Sequence, residues 1–310
     1  MRKIAFIFPG QGAQYTGMGR DFYENFDRAK EVFAIAGKVS GMSMEELIFK
    51  ENENLHVTKY TQIAMLTVEL AILKVLEEKG VISSVNAGLS LGEYAALTAS
   101  GGLSVREALE LVVKRGLFMQ EAVPTGGAMT AIMGLESSVV EEICEKTKGI
   151  VSIANYNCPG QIVISGEGEA VKKAAESMKE AGAKRCIPLN VSGPFHSKML
   201  ETAGEQLAKE LEKVEIGEIT TPYISNVTAE YVFDKEEVKG LLTAQVSSSV
   251  RWQQSMELMV AEGVDTFVEI GPKKTLSAFL KKIAPEVDSY HVETMKDMEE
   301  LLESLKIEKK

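Results

Sequence analysis

The 310-residue sequence has few of the residues on which several kinds of chemistry depend. Its three cysteines, Cys144, Cys158 and Cys186, stand far apart and form no Cys-x-x-Cys pair. An odd, scattered set cannot complete a disulfide framework and suits a reducing compartment, so we expect core residues rather than redox or metal chemistry. No metal site is expected. Long apolar runs are missing too: Ile4 to Phe8 stops at Pro9-Gly10, too short for a signal peptide or a membrane span. The expected location is therefore the cytoplasm. Basic residues are also in deficit, with 34 Lys and Arg against 45 Asp and Glu for a net charge of -11. That balance argues against nucleic acid and anionic membranes as main partners, because both require clustered cations. An anionic partner would have to meet a local patch such as Lys184-Arg185, Lys273-Lys274 or Lys281-Lys282, each of which also fits ordinary solvated surface.

What is present is the composition of a globular protein, 45% hydrophobic and 25% charged, long enough for one large core and one small one. Ile4 to Phe8 reads as a buried strand, ended by the turn-rich Pro9-Gly10-Gln11-Gly12-Ala13-Gln14. Ile63, Leu66, Leu70, Leu73 and Leu76 recur at helical spacing over Thr61 to Glu78, and Gly80 closes that helix before a short strand Val85 to Ala87. Ser104 with Glu107 forms a capping-box pattern for a helix reaching about Ala122. This alternation predicts a mostly parallel α/β sheet with helices on both faces.

The rhythm changes at Ala128. Strand (Met129 to Gly134), helix (Ser137 to Thr147), strand (Ile150 to Asn155), strand (Gln161 to Ser165), helix (Glu169 to Ala181) and strand (Lys184 to Leu189) give the order βαββαβ, a ferredoxin-like unit. The expected organisation is a large α/β domain of residues 1–125 and 194–310 with a small domain, 126–193, inserted in it. A long amphipathic helix, about Ser197 to Val214, a strand near Tyr223 to Asn226, a helix Gln253 to Glu262 and a strand Thr266 to Ile270 complete the large domain.

Gly88-Leu89-Ser90-Leu91-Gly92 fits G-x-S-x-G, the strand-to-helix turn that exposes a serine oxygen at the top of a sheet. The bare pattern is weak, and Ser90 could merely cap the next helix with Glu93 as its reciprocal partner. The context of strand before and helix after favours a nucleophile, with the Leu91 N-H as one oxyanion donor. Such a serine needs a base, and the chain has only three histidines, His56, His196 and His291. His196 stands where the chain re-enters the large domain, which places it at the mouth between domains or, alternatively, in a solvent-facing first helical turn. Arg115 falls on the apolar stripe of Ala108, Leu111, Val112 and Met119. Either an internal acid neutralises it or a ligand carboxylate does, and the latter would select a dicarboxylic acyl group.

Taken together, Phe8 to Gly12, Gly88 to Leu97, Arg115-Gly116, Phe118 to Gln120, Gly127 to Met129, Asn155 to Gln161, Pro194 to His196 and Val268 to Pro272 closely resemble the malonyl-CoA:acyl carrier protein transacylases of bacterial fatty acid synthesis. The resemblance implies an α/β-hydrolase-like large domain with a ferredoxin-like insert, and malonyl transfer from malonyl-CoA to the phosphopantetheine thiol of acyl carrier protein without a resident cofactor. It implies Ser90 as acylated nucleophile, His196 as base, Arg115 as clamp on the malonyl carboxylate, and the N-H groups of Gln11 and Leu91 as oxyanion hole. Gln245 matches the position that supports the histidine, Asn155 and Asn157 match polar pocket positions, and Phe195 matches the malonyl-preferring form of its motif. One departure is Leu89, where such enzymes usually carry histidine. Competing readings are a polyketide acyltransferase, the transacylase subunit of a malonate decarboxylase, and a serine esterase or thioesterase. Nucleotide binding through Gly10-Gln11-Gly12 fails at Tyr15, the sixth position of G-x-G-x-x-G.

Overall fold

A computed structural model describes residues 2–191 and 193–307. Its larger sheet has six strands: β1 (Ile4–Phe8), β2 (Val85–Gly88) and, further along the chain, Tyr223–Ile224, Tyr231–Val232, Thr266–Ile270 and Asp288–Val292. The smaller has β3 (Gly127–Met133), β4 (Val151–Cys158), β5 (Gln161–Glu167) and β6 (Arg185–Pro188). Numbering the remaining strands β7 to β10 in chain order, the large sheet runs β10-β9-β1-β2-β7-β8, parallel except for the β7–β8 hairpin. The expected α/β class with a mostly parallel sheet holds. From β1 the chain builds outward to β2 on one side and later to β9 on the other. This reversal of strand order leaves a crevice at the strands' C-terminal ends.

The Thr58–Glu78 helix is buried on nearly every face, because Met65, Val68, Ile72 and Val75 fill the turns between the predicted stripe. It is a central helix rather than a surface one, and the Val105–Ala122 helix packs against it. That second helix begins with the capping box expected of Ser104 and Glu107. The predicted Ser197 to Val214 helix is shorter: a 3-10 turn, Lys198–Leu200, precedes the helix Glu201–Leu211. The reason is local, since Ser197 is extended at φ -123 and ψ 162, and Leu200, at φ -100 and ψ 11, interrupts the α-helical geometry before Glu201. The Lys235–Gln245, Thr275–Ile283 and Met295–Leu305 helices, not expected from the sequence, complete the layers.

The small sheet has the order β4-β5-β3-β6, all antiparallel, with the helices Ser137–Lys146 and Gly168–Glu180 packed against it. β4 shifts register between Ile153 and Asn155 and again between Tyr156 and Cys158. These bulges free part of β4 to pair elsewhere. Val250 N donates to Ala154 O at 2.8 Å and Tyr156 N to Val250 O at 2.9 Å, tying the small sheet to the segment after Gln245. Among the described residues no helix is long and apolar enough to cross a membrane.

Two glycines let strand, turn and helix close on one another. A Cβ on Gly92 would lie 2.2 Å from Phe8 O, and one on Gly88 would lie 1.9 Å from the carbonyl carbon of Gly92. Both obstacles are backbone and cannot rotate away. Gly92→Ala should therefore cost about 1 to 3 kcal/mol, the range for forcing atoms into a filled site. Urea unfolding checks this: the midpoint should fall at an unchanged slope, and an unaltered midpoint would show that the turn has room.

Candidate active site

The turn after β2 places Ser90 at φ 56, a left-handed conformation that costs a non-glycine residue energy. Three contacts hold it there. Ser90 N donates to Asn226 Oδ1 at 2.6 Å, Asn226 Nδ2 donates to Gly88 O at 2.7 Å, and Leu89 N donates to Phe8 O at 2.9 Å. The hydroxyl does not cap the following helix. That helix, Gly92–Ala99, starts beyond it with Leu91 as N-cap and no side-chain cap bond.

Ser90 Oγ instead lies 2.7 Å from His196 Nε2. His196 is itself left-handed at φ 57, and its Nδ1 lies 2.9 Å from the main-chain O of Gln245. A carbonyl only accepts, so the proton sits on Nδ1 and Nε2 is free to accept from the serine hydroxyl. Burial, with Arg115 nearby, lowers the His196 pKa to about 4, although the main chain of Gln245 and Ser248 pulls the other way. The imidazole is thus neutral at physiological pH and able to take a proton.

Arg115 completes the cluster at 1% exposure. Nη1 donates to Gln62 Oε1 at 2.8 Å, and Nη2 donates to Gln245 Oε1 at 3.0 Å and to Ser90 Oγ at 3.1 Å. All three acceptors are uncharged. No carboxylate lies within ion-pair distance of the guanidinium among the described residues, and Nε has no partner among them. The other face of the cation lies 5.6 Å from the Tyr94 ring centroid. Of the two options open from sequence, neutralisation by an internal acid is not what the geometry shows.

Gln245 joins these groups. Its Nε2 donates to Ser90 O at 2.9 Å and to Glu93 Oε2 at 2.6 Å. Glu93 is fully buried, and burial raises its pKa to about 8 against the pull of Gln245, Asn226 and Arg115. The Gln11 and Leu91 N-H groups lie in turns and donate to no acceptor among the described residues. The Gln11 side chain is anchored by Nε2 donating to Thr58 Oγ1 at 3.1 Å.

A cavity of about 270 Å³ opens over this cluster, lined by Gln11, Ser90, Leu91, Arg115 and His196 and, from the small sheet, Asn155 and Asn157. Phe195 and Leu89 add apolar wall, so the position where resembling enzymes usually carry histidine presents hydrocarbon here. The catalytic and binding residues expected from the sequence, Gln245 aside, therefore line this cavity. Gln245 touches Arg115, His196 and Ser90 from behind it. The other histidines are elsewhere: His56 Nδ1 lies 3.5 Å from Gln14 Nε2, and His291 Nε2 lies 3.0 Å from Gly271 O. Sequence reasoning missed Gln62 and Asn226, and it took Glu93 for a possible cap. Nothing in their spacing marks them, because each reaches the site across more than fifty residues of chain or points inward from a turn.

Residues 5–301 match the acyl transferase domain family. The malonyl CoA-acyl carrier protein transacylase of Bacillus subtilis is 44% identical over 99% of this chain and 99% of its own. The crystal structure of the Clostridium perfringens enzyme of that name is 47% identical, with a TM-score of 0.94 over 98% of this chain and 97% of that one. A malonyl-transacylase solved in complex with a holo type II PKS acyl-carrier protein is 38% identical, with a TM-score of 0.94 over 97% of this chain and 99% of that one.

The low His196 pKa has a direct readout. Titrating the unliganded protein with imidazole NMR should show His196 neutral down to pH about 4, against 6.5 for an unburied histidine. Because the folded pKa is the depressed one, this group favours folding above pH 6.5 and loses that contribution as pH falls toward 4. A midpoint at or above 6.5 would contradict the buried, neutral assignment.

Proposed function

The chain belongs to the acyl transferase family, and on that premise we propose that it moves a malonyl group from malonyl-CoA to the phosphopantetheine thiol of acyl carrier protein, by way of an ester on Ser90. The observation that carries this reading is the buried Arg115, a cation with only neutral partners, 3.1 Å from the serine oxygen. A malonyl group ending in a carboxylate supplies the missing charge; an acetyl group does not.

Each residue then has a task. Ser90 Oγ attacks the thioester carbonyl while its proton passes to His196 Nε2, and the carbonyl oxygen takes up negative charge against the N-H groups of Gln11 and Leu91. Collapse breaks the C-S bond, and the departing CoA sulfur takes the proton from Nε2. In the second half the carrier-protein thiol gives its proton to Nε2, attacks the ester carbonyl and releases Ser90, which recovers the proton. Alternation of the two half-reactions through one site gives ping-pong kinetics. Gln245 O holds the imidazole in the working tautomer, the part an acid plays in other serine enzymes. Arg115 Nε, together with the Nη2 hydrogen that Ser90 Oγ occupies in the unliganded site, can meet the malonyl carboxylate.

Asn155, Asn157 and Phe195 bound the cavity where the acyl chain and the thioester arm would lie. We assign no resident cofactor, and place the enzyme in the cytoplasm with coenzyme A thioester and acyl carrier protein as partners. Residues 126–193 form the inserted small domain in this scheme.

Intact-mass measurement after mixing with malonyl-CoA should show one malonyl group per chain, absent in Ser90→Ala, and its removal on adding holo acyl carrier protein. Hydrolysis outpacing that transfer would favour an esterase. Arg115→Ala should cut malonyl loading by 100-fold or more, roughly what loss of a buried charged contact of about 3 kcal/mol implies, and acetyl loading far less. Equal losses for both acyl groups would remove the clamp.

A further inference from the structure

The side-chain amide of Gln245 fits its surroundings in one orientation only. As placed, Nε2 faces two acceptors, Ser90 O and Glu93 Oε2, and Oε1 faces Arg115 Nη2. Turned over, the oxygen would oppose the Ser90 carbonyl oxygen, which can only accept, and the NH2 group would oppose a guanidinium that can only donate. The same residue carries His196 on its main-chain carbonyl. One side chain thus controls how the cation is held, and its backbone controls how the imidazole is held.

The far end of that amide rests on Glu93. This carboxyl lies in the first turn of the Gly92–Ala99 helix, fully buried and outside the cavity lining. Its Oε2 accepts from Gln245 Nε2 at 2.6 Å and from Asn226 N at 3.3 Å, and Asn226 Oδ1 in turn receives Ser90 N at 2.6 Å. Glu93, Gln245, Arg115, Ser90 and Asn226 form a closed ring of hydrogen bonds around the nucleophile.

We propose that Glu93 is a positioning residue for acyl selectivity: it locks the Gln245 amide with its oxygen toward Arg115, and so holds the guanidinium where a carboxylated acyl group can reach it. This rests on the reading of Arg115 as the carboxylate site. What Glu93 must supply is an acceptor, not a charge. With its pKa raised to about 8 by burial, the group is mostly protonated at neutral pH, and its oxygen accepts from Nε2 as a glutamine oxygen would. A neutral Glu93 also leaves Arg115 uncompensated, which favours an incoming anion.

The test compares wild type, Glu93→Gln and Glu93→Met, the last similar in length but without an acceptor. Single-turnover loading of Ser90 from malonyl-CoA and from acetyl-CoA is followed by mass on the full chain. Glu93→Met should lower the malonyl-to-acetyl ratio of kcat/KM about tenfold, the scale of one lost hydrogen bond to a charged network. Glu93→Gln should keep the wild-type ratio. A ratio lost equally in both variants, or an equal fall for both acyl groups in Glu93→Met, would overturn the proposal. Should Glu93→Met fail to fold, Glu93→Gln decides alone: a kept ratio supports the acceptor role and a lost one ends it. Failure of the wild-type chain to take malonyl on Ser90 would be a separate result, against the underlying reading rather than against Glu93.

Discussion

A guanidinium held inside the protein by neutral acceptors is the constraint around which this site is arranged. Moving such an ion out of water costs several kcal/mol even after relaxation, and hydrogen bonds to Gln62, Gln245 and Ser90 return only part of that. The remainder is available to a ligand that brings the opposite charge. The same cation also acts on its neighbours. It adds to the burial that keeps His196 neutral and able to accept a proton. It also opposes, without cancelling, the burial that keeps Glu93 largely protonated. One buried charge therefore shapes both the acyl preference and the acid-base chemistry.

Holding that cation against a serine requires backbone that few sequences supply. Ser90 and His196 both adopt left-handed φ, at 56 and 57, and they face each other across a 2.7 Å hydrogen bond. Strain at both ends of one contact persists only where the surroundings over-determine it. On the serine side, Asn226 bridges the turn and glycines at 88 and 92 allow main chain to touch main chain. On the histidine side, Ser197 Oγ donates to Pro194 O at 2.7 Å and closes the turn. The parallel sheet contributes the rest, since β1 and β2 end side by side and present the Gln11 and Leu91 turns to the same point.

Legibility in the sequence followed the range of the interactions. The βαββαβ rhythm, the capping box at Ser104 and the glycine-flanked Ser90 are local patterns and could be read directly. Arg115 was legible as an anomaly, a cation on an apolar stripe, but its partners were not, because Gln62 and Gln245 come from helices 53 and 130 residues away. Gln245 entered through family resemblance alone, and Asn226 not at all, since an asparagine after a two-residue strand carries no periodic signal. Glu93 entered only as the partner in an alternative capping reading of Ser90, for an instructive reason. Three residues past a serine it satisfies the spacing of a capping box, yet the serine is turned toward His196 and the carboxyl points into the core.

The central claim concerns where a carboxylate goes once it enters this cavity. A crystal structure of the chain loaded with malonyl-CoA in the absence of carrier protein, so that Ser90 carries a malonyl ester, would test it most directly. The account predicts both carboxylate oxygens at about 2.7 to 3.0 Å from Arg115 nitrogens, with Gln245 Oε1 still on the guanidinium. A malonyl carboxylate turned to solvent, with Arg115 still bound only to Gln62, Gln245 and the serine oxygen, would contradict it.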